Sequence, residues 1–186
     1  LGAIITYEQG VAHITPGPSP SIGQVLPHES GTTLRLLLPV SAAICDTVKV
    51  DAKGRLPERP LEPLLSEMKD HGVSFSQDTP PFTMTGRLQG GTFTMTGSVS
   101  SQFFSGLLLA APHQGRTTVN CTSLLQSKDY VTLTIATMKD FGVQVTEAFT
   151  EEGYPSFTIE ENQHFHGNEQ YRIEGDWSNG CLLYTS

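Results

Sequence analysis

The chain has 186 residues and a hydrophobic fraction of 37%, and its 18 glycines bring the apolar share to the ordinary globular range. That is enough material for a real core, and no apolar run approaches the roughly 20 residues of a membrane-spanning helix, so disordered and membrane classes are set aside. A net charge of −8 excludes a nucleic-acid surface, which needs clustered Lys and Arg. The acid excess falls late, with eight acids and one base between Glu147 and Asp176, and reads as a solvated face. Cys45, Cys121 and Cys181 show no metal spacing and no even disulfide set, which fits a reducing cytoplasm. Leu1-Gly2-Ala3 reads as the end of a helix running into a strand, so the sequence predicts a fragment of a longer protein.

Ile4–Glu8 and Val11–Thr15 alternate around Gln9-Gly10 and predict a hairpin. Pro16–Pro20 is a loop. Ser30-Gly31-Thr32-Thr33 is a small, polar helix start, followed by an apolar helix that Pro39 should kink or shift. Thr47–Val50 reads as a strand, Asp51–Pro60 as a loop and Leu61–His71 as a helix closed by Gly72. Strands follow at Val73–Phe75, Phe82–Thr85 and Thr92–Thr96. The chain then turns at Gly97 into a helix that opens on Ser100, Ser101 and Gln102. That helix is apolar nearly all round from Phe103 to Ala111, which predicts burial. Thr117–Cys121 is strand-like, Leu124–Asp129 is a loop, and Val131–Phe141 is a helix closed by Gly142. Val143–Thr146, Phe157–Ile159, Gln163–Phe165 and Tyr171–Glu174 read as strands, and Gly175–Asn179 as the opening of a further helix. Cys181–Ser186 breaks the pattern; it is what the mosaic end of a common sequencing adapter encodes, and the tail is predicted to be non-native.

The hexapeptide Met68-Lys69-Asp70-His71-Gly72-Val73 returns as Met138-Lys139-Asp140-Phe141-Gly142-Val143. The same step carries Ser30 onto Ser100 and Leu37 onto Leu107. The chain therefore contains an internal repeat of about 70 residues. Two equivalent buried helices would direct their N-termini to one side. Their unpaired N–H groups and partial positive charges suit an anion.

Ser100-Ser101-Gln102 fits a phosphate and sugar-like hydroxyls, and equally fits plain helix capping. Ser30-Gly31-Thr32-Thr33 is the same case, with Gly31 permitting close backbone approach to a ligand. Gly54–Pro60 sets two arginines, Arg55 and Arg59, in a stiff loop. Such side chains pair with phosphate or carboxylate, or are simply solvated. Ser127-Lys128-Asp129-Tyr130 opens the equivalent helix of the second repeat. His164 and His166 read as a surface pair rather than a metal site.

Taken in order, ESGTTLRLLLP (Glu29–Pro39), GRLPERPLEPLL (Gly54–Leu65), GSVSSQFFSGLLLAAP (Gly97–Pro112), SKDYVTLTIATMKDFGV (Ser127–Val143) and EGDWSN (Glu174–Asn179) resemble the 5-enolpyruvylshikimate-3-phosphate synthase family. The resemblance implies an α/β fold of repeated βαβαββ units with buried helices, three per lobe in two lobes. It implies residues 1–174 as an incomplete first lobe, 175–180 as the start of the crossover, and 181–186 as the added tail. It also implies transfer of the enolpyruvyl group of phosphoenolpyruvate to the 5-hydroxyl of shikimate 3-phosphate, with release of phosphate. Ser100, Ser101, Gln102, Ser127 and Tyr130 would hold shikimate 3-phosphate, and Gly31, Arg55 and Gln102 phosphoenolpyruvate. No metal or other cofactor and no membrane or nucleic-acid partner is implied, and the parent is expected to be a cytoplasmic monomer. His28 departs from the family, which commonly has glycine there. The family's first lysine–serine–arginine segment would precede Leu1 and its catalytic acids would follow Gly180. The chain alone is therefore expected to hold no catalytic residue and to be inactive. Two alternatives stand beside this reading. One is the related UDP-N-acetylglucosamine enolpyruvyl transferase, which usually carries a reactive cysteine in a loop that here, Asp51–Pro60, has none. The other is a non-enzymatic anion-binding module.

Overall fold

The computed structural model of the protein describes residues 2–18 and 20–173. The expected helix opening at Gly175–Asn179 and the tail Cys181–Ser186 lie outside them. The chain begins with the predicted hairpin, β1 (Ile4–Glu8) and β2 (Val11–Thr15). Its two-residue turn places Gln9 (φ 49°) and Gly10 (φ 82°) in the left-handed region, as a tight hairpin requires.

Two βαβαββ units follow. The first runs β3 (Ile22–His28), α1 (Gly31–Ile44), β4 (Thr47–Ala52), α2 (Leu64–Asp70), β5 (Ser74–Phe75) and β6 (Phe82–Thr85). The second runs β7 (Gly91–Met95), α3 (Ser101–Ala110), β8 (Thr117–Cys121), α4 (Lys128–Asp140), β9 (Thr146–Phe149) and β10 (Pro155–Ile159). The strand orders are β3-β4-β6-β5 and β7-β8-β10-β9, the same path twice. In each sheet the first pair is parallel, joined by a helical crossover, and the other pairs are antiparallel. Mixed α/β layering with buried helices is thus what the sequence predicts.

The hexapeptide repeat has a physical cause. Gly72 (φ 94°) and Gly142 (φ 88°) each sit just past a helix in the left-handed conformation. Val73 N–H donates to Met68 C=O at 3.0 Å and Val143 N–H to Met138 C=O at 2.9 Å. Gly72 and Gly142 donate to Lys69 and Lys139. This is the Schellman closure, whose apolar partners on either side of the glycine pack together. Met68, Val73, Met138 and Val143 are all buried.

α1 and α3 form the interior layer. Phe103, Phe104, Leu107 and Leu108 of α3 are wholly buried, each side chain worth about 1.5–3 kcal/mol of transfer free energy. α3 lies between α1 and α4. A Cβ at Gly106 would stand 2.6 Å from the Arg35 carbonyl oxygen, so the two helices meet where α3 has no side chain. That carbonyl lacks its usual donor because Pro39, four residues on, has no N–H. α1 nevertheless continues through Pro39 to Ile44. By contrast α4 buries only Val131 and Met138 and is an outer helix.

Several boundaries differ from expectation. β3 was not foreseen: its inward positions are Gly23, Val25 and Pro27, two of them poor strand formers. The expected loop Asp51–Pro60 begins inside β4 and contains a 3-10 turn at Leu56–Glu58. α2 starts after Pro63 and not at Leu61, whereas α4 starts at Lys128, before Val131. Val143–Val145 and Gln163–Phe165 are not strands, for a shared reason. The Gln163 side chain accepts from Gln144 N–H at 2.6 Å and donates to Gln144 C=O at 3.0 Å, which supplies the bonds a neighbouring strand would have made. Residues 171–173 are likewise outside any strand; they are tied down by Tyr171, whose hydroxyl meets Asp140 at 3.1 Å.

Candidate functional site: a cationic cleft at three helix starts

Ser100 and Ser30 take up equivalent N-cap positions. Ser100 Oγ accepts from Gln102 N–H at 3.3 Å and Ser30 Oγ from Thr33 N–H at 3.2 Å. The two helix starts touch directly, because Gln102 Nε2 donates to Thr32 Oγ1 at 2.7 Å. These two residues are 70 positions apart and occupy the same place in the two units. The start of α4 joins them through the loop before it. Gln126 N–H donates to Gly97 C=O at 3.0 Å, and Gly97 N–H to Ser123 Oγ at 3.0 Å. A Cβ on Gly97 would lie 2.7 Å from the Leu125 Cα, so the two loops can approach this closely only with glycine there. Ser127 then enters α4 in the left-handed region (φ 53°) and makes no side-chain capping bond.

The result is a cleft of about 340 Å³ lined by Ser100, Ser101, Gln102, Gln126, Ser127 and Tyr130, with Val99, Arg35 and Arg59. Among the described residues no carboxylate lines it. All five residues expected to hold shikimate 3-phosphate are therefore brought together. Those expected to hold phosphoenolpyruvate are more dispersed. Gln102 is in this cleft. Arg55 borders an adjoining cleft of about 460 Å³ with Glu29, Leu56, Glu58, Arg59 and Pro60. Its side chain is 92% exposed and pairs with Glu58 at 3.5 Å. Gly31 is buried and lines neither cleft; the space its side chain would take is filled by Arg59, with Nη1 2.7 Å from a built Cβ.

Arg59 thus joins the two clefts, and Arg35 forms the inner wall of the first. Sequence reasoning named Arg59 only as one of two loop arginines and did not single out Arg35. The signal for Arg35 was its place on an otherwise apolar helix, one turn beyond Gly31. Its Nη1 donates to Gln102 Oε1 at 3.1 Å and its Nη2 to the Pro60 carbonyl at 3.3 Å. Its Nε is buried with no hydrogen-bond partner among the described residues. Its guanidinium carbon lies 5.4 Å from the centre of the Phe103 ring. Burial, and then the neighbouring Arg59, lowers the Arg35 pKa. Two guanidiniums, an orphan donor and three helix starts form a site already short of negative charge, and a bound anion relieves that shortage.

Elsewhere, His113 faces Phe165, with ring centres 6.5 Å apart, and His71 stacks on Phe93 at 3.8 Å. Among the described residues no helix is long and apolar enough to cross a membrane.

The sequence model for EPSP synthase (3-phosphoshikimate 1-carboxyvinyltransferase) matches residues 1–184. The chain is 36% identical over 162 residues to the 3-phosphoshikimate 1-carboxyvinyltransferase of Clostridium acetobutylicum, covering 85% of this chain and 37% of that protein. It is 39% identical over 163 residues to the enzyme of the same name from Methanoregula boonei, covering 84% and 37%. The chain spans less than half the length of these curated relatives. Among solved structures, EPSP synthase from Acinetobacter baumannii superposes with a TM-score of 0.66 at 22% identity, over 89% of this chain and 38% of that one. The enolpyruvyl transferase NikO from Streptomyces tendae superposes at 0.51 and 11% identity, covering 91% and 39%. At such identities these two speak for the fold alone. With residues 1–184 of its 186 matched by the family's sequence model, the chain belongs to the EPSP synthase family.

Proposed function

We propose that the chain is the incomplete first lobe of an EPSP synthase and forms its shikimate 3-phosphate half-site. The parent enzyme transfers the enolpyruvyl group of phosphoenolpyruvate to the 5-hydroxyl of shikimate 3-phosphate and releases phosphate. Ser100, Ser101, Gln102, Ser127 and Tyr130 hold shikimate 3-phosphate. Gly31, Arg55 and Gln102 meet phosphoenolpyruvate, with Arg55 swinging in from solvent to neutralise its charge. The single observation that carries the reading is a cleft with no carboxylate among its described lining residues, in a chain of net charge −8, built where the starts of α1, α3 and α4 converge. A phosphate monoester suits the helix starts and guanidiniums, while the serine hydroxyls and the Gln102 amide suit ring hydroxyls. The name carried by the curated relatives supports the synthase over the UDP-N-acetylglucosamine enzyme.

The lobe reading has its own support. Gly2 has φ 98°, close to Gly72 and Gly142, and stands one repeat step before Gly72. The β1–β2 hairpin then takes the place of β5–β6 in a preceding unit. In this reading the parent works as a monomer in the cytoplasm, and the proton-transfer groups lie outside this chain. Calorimetric titration tests the site. The chain should bind shikimate 3-phosphate in preference to inorganic phosphate, and Ser101→Ala or Gln102→Ala should weaken that binding about tenfold. Equal, weak binding of both ligands would make it a general anion-binding module. Given both substrates, the chain alone should release no phosphate.

A further inference from the structure

A carboxamide presents a carbonyl on one side and two N–H groups on the other, and which side faces a ligand is decided by its neighbours. Gln102 has two such neighbours, Arg35 at 3.1 Å and Thr32 at 2.7 Å. They are not equivalent. The Thr32 hydroxyl donates or accepts and would serve either orientation. A guanidinium only donates, so it tolerates the carbonyl oxygen and repels the NH₂. With Oε1 held by Arg35 and one N–H given to Thr32, the second N–H is left for the cleft that Gln102 lines. We infer that Arg35 is a positioning residue that fixes the Gln102 carboxamide so that the cleft receives an N–H donor and not a carbonyl.

The rest of the Arg35 environment serves this role. Nη2 is tied to the Pro60 carbonyl and the guanidinium lies against the Phe103 ring, so its plane is set from two sides. Phe103 is the residue after Gln102 and is wholly buried, which fixes the backbone from which Gln102 extends. Position 105, which corresponds to Arg35 in the second unit, is a serine committed elsewhere: its Oγ meets Thr134 Oγ1 at 2.8 Å. The duplicated frame therefore carries the orienting cation on one side only. The consequence is selectivity for ligand acceptors, phosphate or hydroxyl oxygens, at the Gln102 contact. The inference rests on the half-site reading for its ligand, but the orientation itself is a property of the free chain.

The test is therefore run in two arms. In 15N-correlated NMR of the 186-residue chain, the Gln102 side-chain amide pair is identified by its loss in Gln102→Ala. It should lie away from the other glutamine pairs. It should collapse towards them in Arg35→Leu and stay in place in Arg35→Lys, whose ammonium also only donates. If Arg35→Leu does not fold, Arg35→Gln gives the same readout, because its amide can accept as well as donate. An unchanged Gln102 pair in Arg35→Leu and in Arg35→Gln overturns the inference. In the second arm, shikimate 3-phosphate is titrated into each variant. Affinity should fall on the order of tenfold in Arg35→Leu or Arg35→Gln, and most of it should be retained in Arg35→Lys. A loss in Arg35→Lys as large as in Arg35→Leu, with the Gln102 pair undisturbed, would mean direct ligand contact and overturn the positioning role. Amide shifts as expected with no shikimate 3-phosphate binding by any form would sustain the positioning and overturn the half-site reading.

Discussion

Two glycines show how the same missing side chain serves different ends. At Gly106 a Cβ would meet the Arg35 carbonyl oxygen at 2.6 Å and the Leu36 Cα at 3.4 Å, both backbone and neither able to give. Gly106→Ala must push α1 and α3 apart and should cost about 1–3 kcal/mol of stability, read from a denaturant midpoint. At Gly31 the nearest atom is Arg59 Nη1 at 2.7 Å, the far end of a long side chain that can swing away. Gly31→Ala should leave the midpoint within about 0.5 kcal/mol but displace Arg59 from the wall between the clefts, so that phosphate-ester binding drops. A chain whose stability fell with Gly31→Ala and not with Gly106→Ala would contradict this assignment. His28 belongs to the same scale. It has φ 52°, a left-handed conformation that glycine adopts most readily, which agrees with the glycine that the resemblance leads one to expect there. Arg35 was less legible, because a lone arginine on an apolar helix gives no sign of the two partners that hold it.

Among the elements, legibility followed how local the determining physics is. The α3 helix could be read directly, since a run apolar on every face has nowhere to go but the interior. The Schellman closures could be read from glycine and from the repeated hexapeptide, because their bonds span only a few residues. β3 could not: Gly23 sits inward because the Cys45 Sγ leaves no room, 2.9 Å from a built Cβ, a constraint set from across the fold. The segment at Gln163 failed for a related reason. A side chain, not a strand, satisfies the backbone of Gln144, and alternation cannot distinguish the two. Removing that side chain should expose the difference. Gln163→Ala should speed amide hydrogen exchange at Gln144 by about fivefold, with β8 and β10 unchanged, since one such hydrogen bond is worth about 1 kcal/mol. Exchange at Gln144 that is indifferent to the substitution would mean some other group protects it.

At the scale of the molecule, the site is a product of duplication more than of any one motif. Each unit alone offers one buried helix with a serine cap. Only their pairing sets Thr32 against Gln102, and only the third start, at Ser127, closes the cleft. The sequence repeat therefore carried more information about the site than the motifs themselves, whose capping and ligand-binding readings were equivalent in isolation. What it could not supply was the division between the two clefts. That depends on where Arg55 and Arg59 point, and side-chain direction in an exposed loop leaves no periodic trace.

The hairpin at the start bears on how the material behaves in the tube. Ile4, Ile5, Tyr7, Val11 and Ile14 are all exposed, Tyr7 at 77%, on a two-stranded ribbon whose described residues pair only with each other. Such a ribbon offers sticky edges to any other β-rich chain, including its own copies. Sedimentation velocity should show self-association that grows with concentration, and Ile5→Lys with Ile14→Lys should suppress it without altering the melting temperature by more than about 2 °C. A double variant that associates as readily as the parent would locate the sticky surface elsewhere. With association suppressed in the double variant, purification yield, storage concentration and crystallisability are traced to five side chains that lie outside the cleft and both of its βαβαββ units.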